Sequence, residues 1–141
     1  MSIFKSNVTL DMLNKMSSNT LMEHLGIVIT KIGDDFMEAT MPVDHRTHQA
    51  LGMLHGGASV VLAESLGSFA ATFCVDFTKQ YCVGLEINAN HIKSVREGFV
   101  TGITKPIHIG KKTQVWEIRI TNDQQELVCI SRITMAVIDR K

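Results

Sequence analysis

A pair of glycines stands at the start of an apolar segment that is long enough for a helix. Gly56 and Gly57 precede a run in which Ala58, Leu62 and Phe69 recur at helical spacing. The first N–H groups of a helix have no partner inside it, and glycine lets a ligand approach them closely. The pattern predicts a site for negative charge developing on an oxygen atom, unless the glycines serve only to turn the loop into the helix.

Glu64 is the one carboxylate within this apolar segment. An unpaired carboxylate is costly to bury, so Glu64 either has a chemical role or reaches solvent or a salt bridge. Ser68 lies one helical turn further along the same face, where its hydroxyl could orient the carboxylate or a water molecule.

The spacing of these groups bears on quaternary structure. Gly56 and Glu64 are eight residues apart, which on one helix is roughly 12 Å of axial rise, too far to act on one carbonyl. If two copies pack with these helices antiparallel about a two-fold axis, Gly56 of one copy lies opposite Glu64 of the other. The sequence therefore predicts a homodimer with two shared sites.

Further elements must position this helix. Two short helices are predicted near the start, the first after Thr9 and the second from a capping box over 20–23, with Gly26 ending it. A β-hairpin follows, turning at 33–35, and Pro42 favours its end. Residues 44–54 form a loop long enough to suspect a function. The helix then runs from Gly56 to about residue 74.

Four extended segments follow the helix and form a meander, at 81–89, 99–109, 115–121 and 127–138, with a turn at 122–125 between the last two. An antiparallel sheet wrapped around one long central helix satisfies this order, which is an α+β fold. The 141 residues are the length of one domain, so we expect a single domain over 1–141.

Composition excludes several classes of function. The 14 basic and 14 acidic residues cancel, which argues against capture of nucleic acid or an anionic membrane. Three cysteines without a CxxC pair suggest neither a disulfide framework nor a zinc site. His45 and His48 have HxxH spacing, but no further ligand completes a metal site, so we expect none. No export signal or membrane-spanning run is evident, so a cytoplasmic location is expected.

The order of strands and the motifs together resemble the hotdog-fold acyl-CoA thioesterases of the PaaI-like group. The motifs are Gln49, His55-Gly56-Gly57, Glu64 and Ser68, followed by Asn88-Ala89-Asn90-His91. The resemblance covers nearly the whole chain. It implies a hotdog fold, hydrolysis of aromatic acyl-CoA thioesters without metal or organic cofactor, acyl carrier protein as a possible partner, and a homodimer assembling further to a homotetramer.

The resemblance also implies roles for individual residues. Glu64 would be the catalytic carboxylate, acting as a general base or as a nucleophile, and the Gly56 N–H would polarise the thioester carbonyl. Gln49 and His55 would complete the cluster on the carbonyl side. Ser68 would help to place water, and His91 would touch the aromatic acyl group or the water.

Coenzyme A contacts are implied for three segments. They comprise Gly84, then His91, Ile92, Lys93 and Ser94, then His108, Ile109, Gly110, Lys111, Lys112 and Thr113. The family usually has arginine at the positions of Lys93 and Lys111, and lysine offers a point charge in place of a bidentate contact. The predicted phosphate-binding set, unless these are ordinary surface cations, is Lys93, Arg96, Lys105, Lys111 and Lys112.

Apolar walls for the acyl group are predicted from five residues, Met53, Leu54, Val61, Leu62 and Phe69, and such a slot favours a flat ring. A thioesterase that acts on a misacylated aryl carrier protein in siderophore synthesis is one alternative, and two alternatives that are not thioesterases also stay open. A hotdog dehydratase acting on acyl carrier protein would carry a proline in its active-site loop, whereas Pro42 and Pro106 both lie outside 49–68. A non-catalytic acyl-CoA sensor would have no evident need for Glu64 and Ser68.

Overall fold

The first third of the chain forms two short helices and a hairpin. The computed structural model describes residues 1–5 and 7–141, and its first elements are α1 (Leu10–Met16), α2 (Leu21–His24), β1 (Val28–Ile32) and β2 (Met37–Pro42). Thr9 caps α1, because its side chain accepts a hydrogen bond from the Met12 N–H. The predicted hairpin and its end at Pro42 are confirmed, and Gly26 follows α2 at φ +70°.

The capping box predicted at 20–23 was wrong. The Thr20 side chain caps no N–H of α2 and instead donates to the Ser17 carbonyl at 2.6 Å. Glu23 does reach back, but it accepts from the Asn19 N–H rather than from that of Thr20. The residues of the motif are therefore used to tighten the turn between α1 and α2.

The remaining elements follow the predicted order. They are α3 (Gly56–Phe73), β3 (Gln80–His91), β4 (Phe99–Ile109), β5 (Thr113–Thr121) and β6 (Leu127–Asp139). All strand pairs are antiparallel. The α+β prediction of an antiparallel sheet around one long helix is confirmed, and no helix in the described ranges is long and apolar enough to cross a membrane.

The predicted meander of four strands was wrong in one respect. The sheet order is β1-β2-β4-β5-β6-β3, so β3 does not pair with β4, the next strand in sequence. Only β4, β5 and β6 form a meander, while β3 lies beyond β6 at the far edge. The pattern within a segment predicts a strand but not the strand with which it pairs. Pairing depends on how the connections cross the sheet.

Helix α3 lies close against one face of the sheet. Leu62 and Leu66 are fully buried and face Gly102 of β4, where a Cβ atom would lie only 2.9 Å from Leu66 Cδ1. On the helix, a Cβ at Gly67 would lie 2.6 Å from Cγ2 of Ile133 in β6. The absence of side chains at these two glycines sets the distance between helix and sheet.

The two edges of the sheet differ. At the β1 edge, the Asn14 amide of α1 donates to the Ile29 carbonyl at 3.0 Å and accepts from the Ile29 N–H at 2.9 Å. At the β3 edge, Tyr81, Val83 and Leu85 are exposed apolar residues. The first edge is occupied by a side chain, and the second has no strand partner among the described residues.

Substitution of Gly67 tests the close helix–sheet contact. Gly67→Ala gains about 1 kcal/mol of helix propensity but forces a methyl group into Ile133, and overpacking costs roughly 1–3 kcal/mol. We expect a lower free energy of unfolding in urea. In an Ile133→Ala background the same substitution should become neutral or stabilising, and loss of stability in both backgrounds would contradict this packing.

Candidate active site

The N-terminus of α3 has one backbone donor without a partner. His55 is the N-cap residue, and its Nδ1 accepts from the Gly57 N–H at 2.8 Å. The His55 carbonyl accepts from the Ala58 and Ser59 N–H groups at 3.0 and 3.3 Å. Of the first four N–H groups of this helix, only that of Gly56 has no acceptor among the described residues. This donor, at the positive end of the helix dipole, suits an oxyanion.

The same cap determines the tautomer of His55. An Nδ1 atom that accepts a hydrogen bond carries no proton, so a neutral His55 carries its proton on Nε2. The ring is exposed, and its own backbone N–H donates to the Thr47 carbonyl at 2.8 Å. A neutral His55 therefore presents an Nε2–H donor on an exposed ring, although His55 does not line the cavity that contains Gly56.

His91 lies against Gly56 from the last position of β3. A Cβ at Gly56 would be 2.8 Å from His91 Nε2, so only glycine allows this approach. The two residues line a cavity of about 330 Å³, which is completed by Gln49, Met53, Leu54, Ser59, Ile92, Lys93, Ser94 and Val128. The predicted residues Gln49, Gly56 and His91 are thus brought together.

Two lining residues were not singled out from the sequence. Ser59 lies three residues after Gly56, so helical spacing would have placed it on the same face. Val128 comes from β6, and no local signal shows that this strand pairs with β3. The prediction of Val128 requires the sheet order.

The loop before α3 is fixed to the segment after β3. His48 pairs with Leu54 in an isolated β-bridge, and the Leu54 N–H donates to the Val95 carbonyl at 2.7 Å. The His48 Nε2 lies 2.8 Å from the Arg96 carbonyl, while Arg96 Nη1 donates to the Leu51 carbonyl at 3.3 Å. These contacts hold Gln49 and Met53 beside the N-terminus of the helix.

The HxxH pair has other partners in the structure. His48 bonds a backbone carbonyl, and His45 Nδ1 lies 3.9 Å from an Asp44 carboxylate oxygen. No group of three or more His, Cys, Asp or Glu side chains in residues 1–5 and 7–141 is arranged to hold a metal ion. Asp44 itself binds Arg46 at 2.7 Å, and these hydrogen bonds hold the pKa of its carboxyl well below the usual range.

Glu64 is exposed in the single chain, in line with the alternative, left open from the sequence, that it reaches solvent. It belongs to a partly exposed face of α3 with Val61 and Ser68. Its Oε1 reaches the inner face of β3, where a Cβ at Gly84 would lie 3.4 Å away. No ion pair found among the described residues involves Glu64. The carboxylate is accordingly free to act on a bound molecule.

Two of the three segments predicted to contact coenzyme A lie at opposite ends of α3. Residues 91–94 surround its N-terminus, whereas 109–112 line a cleft of about 910 Å³ with Cys74 and Val75, directly after its C-terminus. An 18-residue helix is about 27 Å long. One chain therefore does not bring these segments together. His108 packs on Gly110 in the second segment, where a Cβ would lie 2.5 Å from its Nε2.

The predicted phosphate-binding cations fall into two groups, those with a partner in the structure and those exposed in a turn. Lys93 is paired with Glu126, and Arg96 donates to the Leu51 carbonyl. Lys105 lies on β4 with its Nζ 5.9 Å from the centre of the Phe36 ring. Lys111 and Lys112 are exposed in the turn between β4 and β5.

The cysteines are poor nucleophiles. Burial raises the pKa of Cys74 to about 12 and raises the pKa of Cys82 and Cys129 as well. Nucleophilic catalysis requires the thiolate, which a raised pKa disfavours. A cysteine thiolate is therefore disfavoured as a nucleophile at neutral pH.

Comparison with known proteins fits this site. The description "Thioesterase superfamily" applies to the family whose profile matches residues 51–129, which include α3, β3, β4 and β5. A crystal structure of a mutant thioesterase from Pseudomonas aeruginosa superposes with a TM-score of 0.97 at 48% identity, covering 99% of this chain and 100% of that chain. The chain therefore belongs to the thioesterase superfamily and has the hotdog fold.

Two relatives carry more specific names. The 1,4-dihydroxy-2-naphthoyl-CoA hydrolase of Escherichia coli is 52% identical, over 96% of this chain and 99% of its own length. The proofreading thioesterase EntH of Cronobacter sakazakii is 49% identical, over 96% of this chain and 98% of its own. This chain is an enzyme that hydrolyses thioesters, so the dehydratase and the non-catalytic sensor are set aside.

The two roles of His55 can be separated by substitution. Asparagine is a good N-cap, whereas alanine is not and costs about 1 kcal/mol of stability. We expect His55→Ala to lower the free energy of unfolding and His55→Asn to retain most of it, measured in urea. Both should lose thioesterase activity, because neither has an Nε2–H donor. Full activity of His55→Asn would show that capping is the whole role of His55.

Proposed function

We propose that this enzyme hydrolyses aromatic acyl-CoA thioesters at sites shared between two copies of the chain, with 1,4-dihydroxy-2-naphthoyl-CoA as its substrate in menaquinone synthesis. The observation that carries the proposal is the unpaired Gly56 N–H in a cavity at the start of α3. The name of the Escherichia coli relative supports the acyl group.

The chemistry needs two donors and one carboxylate. The Gly56 N–H and the His55 Nε2–H donate to the thioester oxygen, where negative charge develops as the carbonyl carbon is attacked. Gln49 orients the same group, and His91 contacts the acyl ring or the water. No metal ion or organic cofactor takes part in the proposed reaction.

Glu64 supplies the attack in one of two ways. As a general base it takes a proton from water, whose oxygen bonds the carbonyl carbon while the C–S bond breaks and CoA leaves as the thiolate. As a nucleophile its carboxylate bonds the carbon first, the C–S bond breaks and CoA leaves as the thiolate, and water then cleaves the mixed anhydride. Ser68, one turn along α3, places the water in either route.

Two separations within the chain favour a shared site. Gly56 and Glu64 remain on one continuous helix, roughly 12 Å apart along its axis, and the two coenzyme A segments lie at its opposite ends. Packing two copies with antiparallel α3 helices joins each N-terminus to the partner's C-terminus. One arrangement thus completes both the catalytic and the coenzyme A contacts.

The β3 edge suits this pairing. Its exposed Tyr81, Val83 and Leu85 lie on the strand whose inner face Glu64 approaches, so a partner added at this edge covers exposed apolar surface. The outer face of the sheet carries Ile107 of β4, exposed by 54%. We propose that a second contact on this outer face makes the homotetramer.

One of the five predicted walls of the acyl slot was wrong. Met53 and Leu54 line the cavity, and Val61 and Phe69 are partly buried on α3. Leu62 was predicted as a wall, but it is fully buried against the sheet and cannot touch the substrate. A short slot with few polar atoms favours a rigid ring, because a flexible chain loses more entropy on binding.

A carrier-protein thioester is the second candidate substrate. The observation that favours it is the relative named proofreading thioesterase, whose identity to this chain is 49%. The aryl-CoA and the aryl carrier-protein thioester share the acyl group, and they differ in whether the pantetheine is attached to a nucleotide or to a protein.

Mixing inactive variants tests the shared site. Glu64→Ala alone should lower kcat by roughly 10²–10⁴ with little change in affinity. After refolding equal amounts of Glu64→Ala and His55→Ala proteins, half of the dimers are hybrids, and each has one intact site. Turnover should return to about a quarter of the wild-type value.

The matched control mixes two variants with lesions in the same half-site, Glu64→Ala and Glu64→Gln, which should stay inactive. Native mass spectrometry would verify that hybrids form in both mixtures. Hybrids that are as inactive as their parents would mean that each site is built within one chain.

A substrate panel tests the acyl group. Values of kcat/KM should be at least roughly tenfold higher for 1,4-dihydroxy-2-naphthoyl-CoA and benzoyl-CoA than for palmitoyl-CoA, about 1.4 kcal/mol of transition-state binding. An aryl carrier-protein thioester in the same panel separates the two candidates. Values that rise with alkyl chain length, with aryl thioesters lowest, would contradict an aromatic substrate.

A further inference from the structure

A salt bridge joins the segment after β3 to the start of β6. The Lys93 Nζ contacts Glu126 Oε2, and both side chains are about half exposed. Glu126 is held in place by Asn122, whose Nδ2 donates to Glu126 Oε1 at 3.2 Å and whose Oδ1 accepts from the Glu126 N–H at 2.9 Å. The carboxylate is therefore aimed at Lys93 by the β5–β6 turn.

Lys93 lies where two concave surfaces meet. It lines the cavity of about 330 Å³ that contains Gly56 and His91, and with Ser94 it also lines a polar cleft of about 450 Å³. The further charged residues of the cleft are Arg96, Glu97, Asp123 and Glu126. Of these, Arg96 donates to the Leu51 carbonyl and Asp123 accepts from the Phe99 N–H. A polar chain leaving the carbonyl site along this path meets Lys93 as its first cation.

Glu126 already occupies the Lys93 ammonium group when no substrate is bound. Hydrogen bonds from Lys93 and Asn122 lower the pKa of Glu126, so its carboxylate is ionised at neutral pH. An anion that binds Lys93 must displace this carboxylate or lie beside it, and like charges a few ångströms apart repel each other. Exposed ion pairs are weak, so a phosphate can displace the Glu126 carboxylate from Lys93 at a small cost in binding free energy.

We propose that Glu126 is a specificity-determining residue that weakens the binding of the CoA nucleotide by competing with its phosphates for Lys93. The inference rests on the proposed function and deepens it. Its consequence is a lower affinity for free CoA, the product that carries the same phosphates, and hence less product inhibition. Thioesters without these phosphates are not subject to the competition.

Glu126→Gln tests this directly, because the amide keeps the shape of the side chain and can still accept from Asn122. At low ionic strength we expect the inhibition constant for free CoA to fall about threefold to tenfold. The ratio of kcat/KM for an aryl-CoA to that for the matching aryl-pantetheine should rise by a similar factor. Both changes should shrink in high salt.

Glu97→Gln is the matched control. Glu97 lines the same cleft and its loss changes the net charge equally, but no ion pair found among the described residues involves it. The inference predicts a larger effect at 126 than at 97, and it predicts that Lys93→Ala removes the effect of Glu126→Gln. Equal effects of the two glutamine variants would overturn it, as would an effect that survives without Lys93.

Calorimetric titration with CoA keeps this test separate from the proposed function. If the wild-type enzyme hydrolyses neither aryl thioester, the proposed function fails, and CoA affinity still tests Glu126. If it hydrolyses both, and Glu126→Gln leaves the affinity for CoA unchanged, only the role of Glu126 fails. Urea unfolding of the variant verifies that the β5–β6 turn is intact.

Discussion

The distance between α3 and the sheet is the constraint on which the rest of the structure depends. It is set where hydrogen atoms replace side chains, at Gly67 facing Ile133 and at Gly102 facing Leu62 and Leu66. A helix held this close lets His91 at the end of β3 touch Gly56, and lets the Glu64 carboxylate reach Gly84. A wider gap would leave both contacts open, so the packing of the core positions the chemical groups.

Three of the first four N–H groups of α3 have a hydrogen-bond acceptor on His55. A helix start must find partners for its free N–H groups, and here His55 supplies both a ring nitrogen and a carbonyl. The donor that is left is the one facing the cavity. When neutral, the same imidazole is thereby a donor at its other nitrogen, so the residue that caps the helix keeps a second hydrogen-bonding group exposed.

The sequence predicted what depends on local pattern. Helical spacing after Gly56 placed α3 to within a residue, and alternation found every strand. The position of β3 beside β6 could not be predicted, since pairing across the sheet leaves no mark in either strand, and Val128 was missed with it. The capping box at Thr20 did not form: the Thr20 hydroxyl donates to the Ser17 carbonyl and accepts from no N–H of α2. The Lys93–Glu126 pair joins residues 33 positions apart, so the sequence gives no sign that these two charges meet.

The Asn14 amide at the β1 edge has a consequence for how many copies can assemble. Its two hydrogen bonds to Ile29 imitate those of a neighbouring strand, so this edge is closed to another chain. A sheet that could extend at both ends would polymerise into a fibre, whereas one that extends at a single end is finished after one addition. One asparagine thus disfavours edge-to-edge growth at this end of the sheet, and it protects the folded chain from aggregation through the same surface.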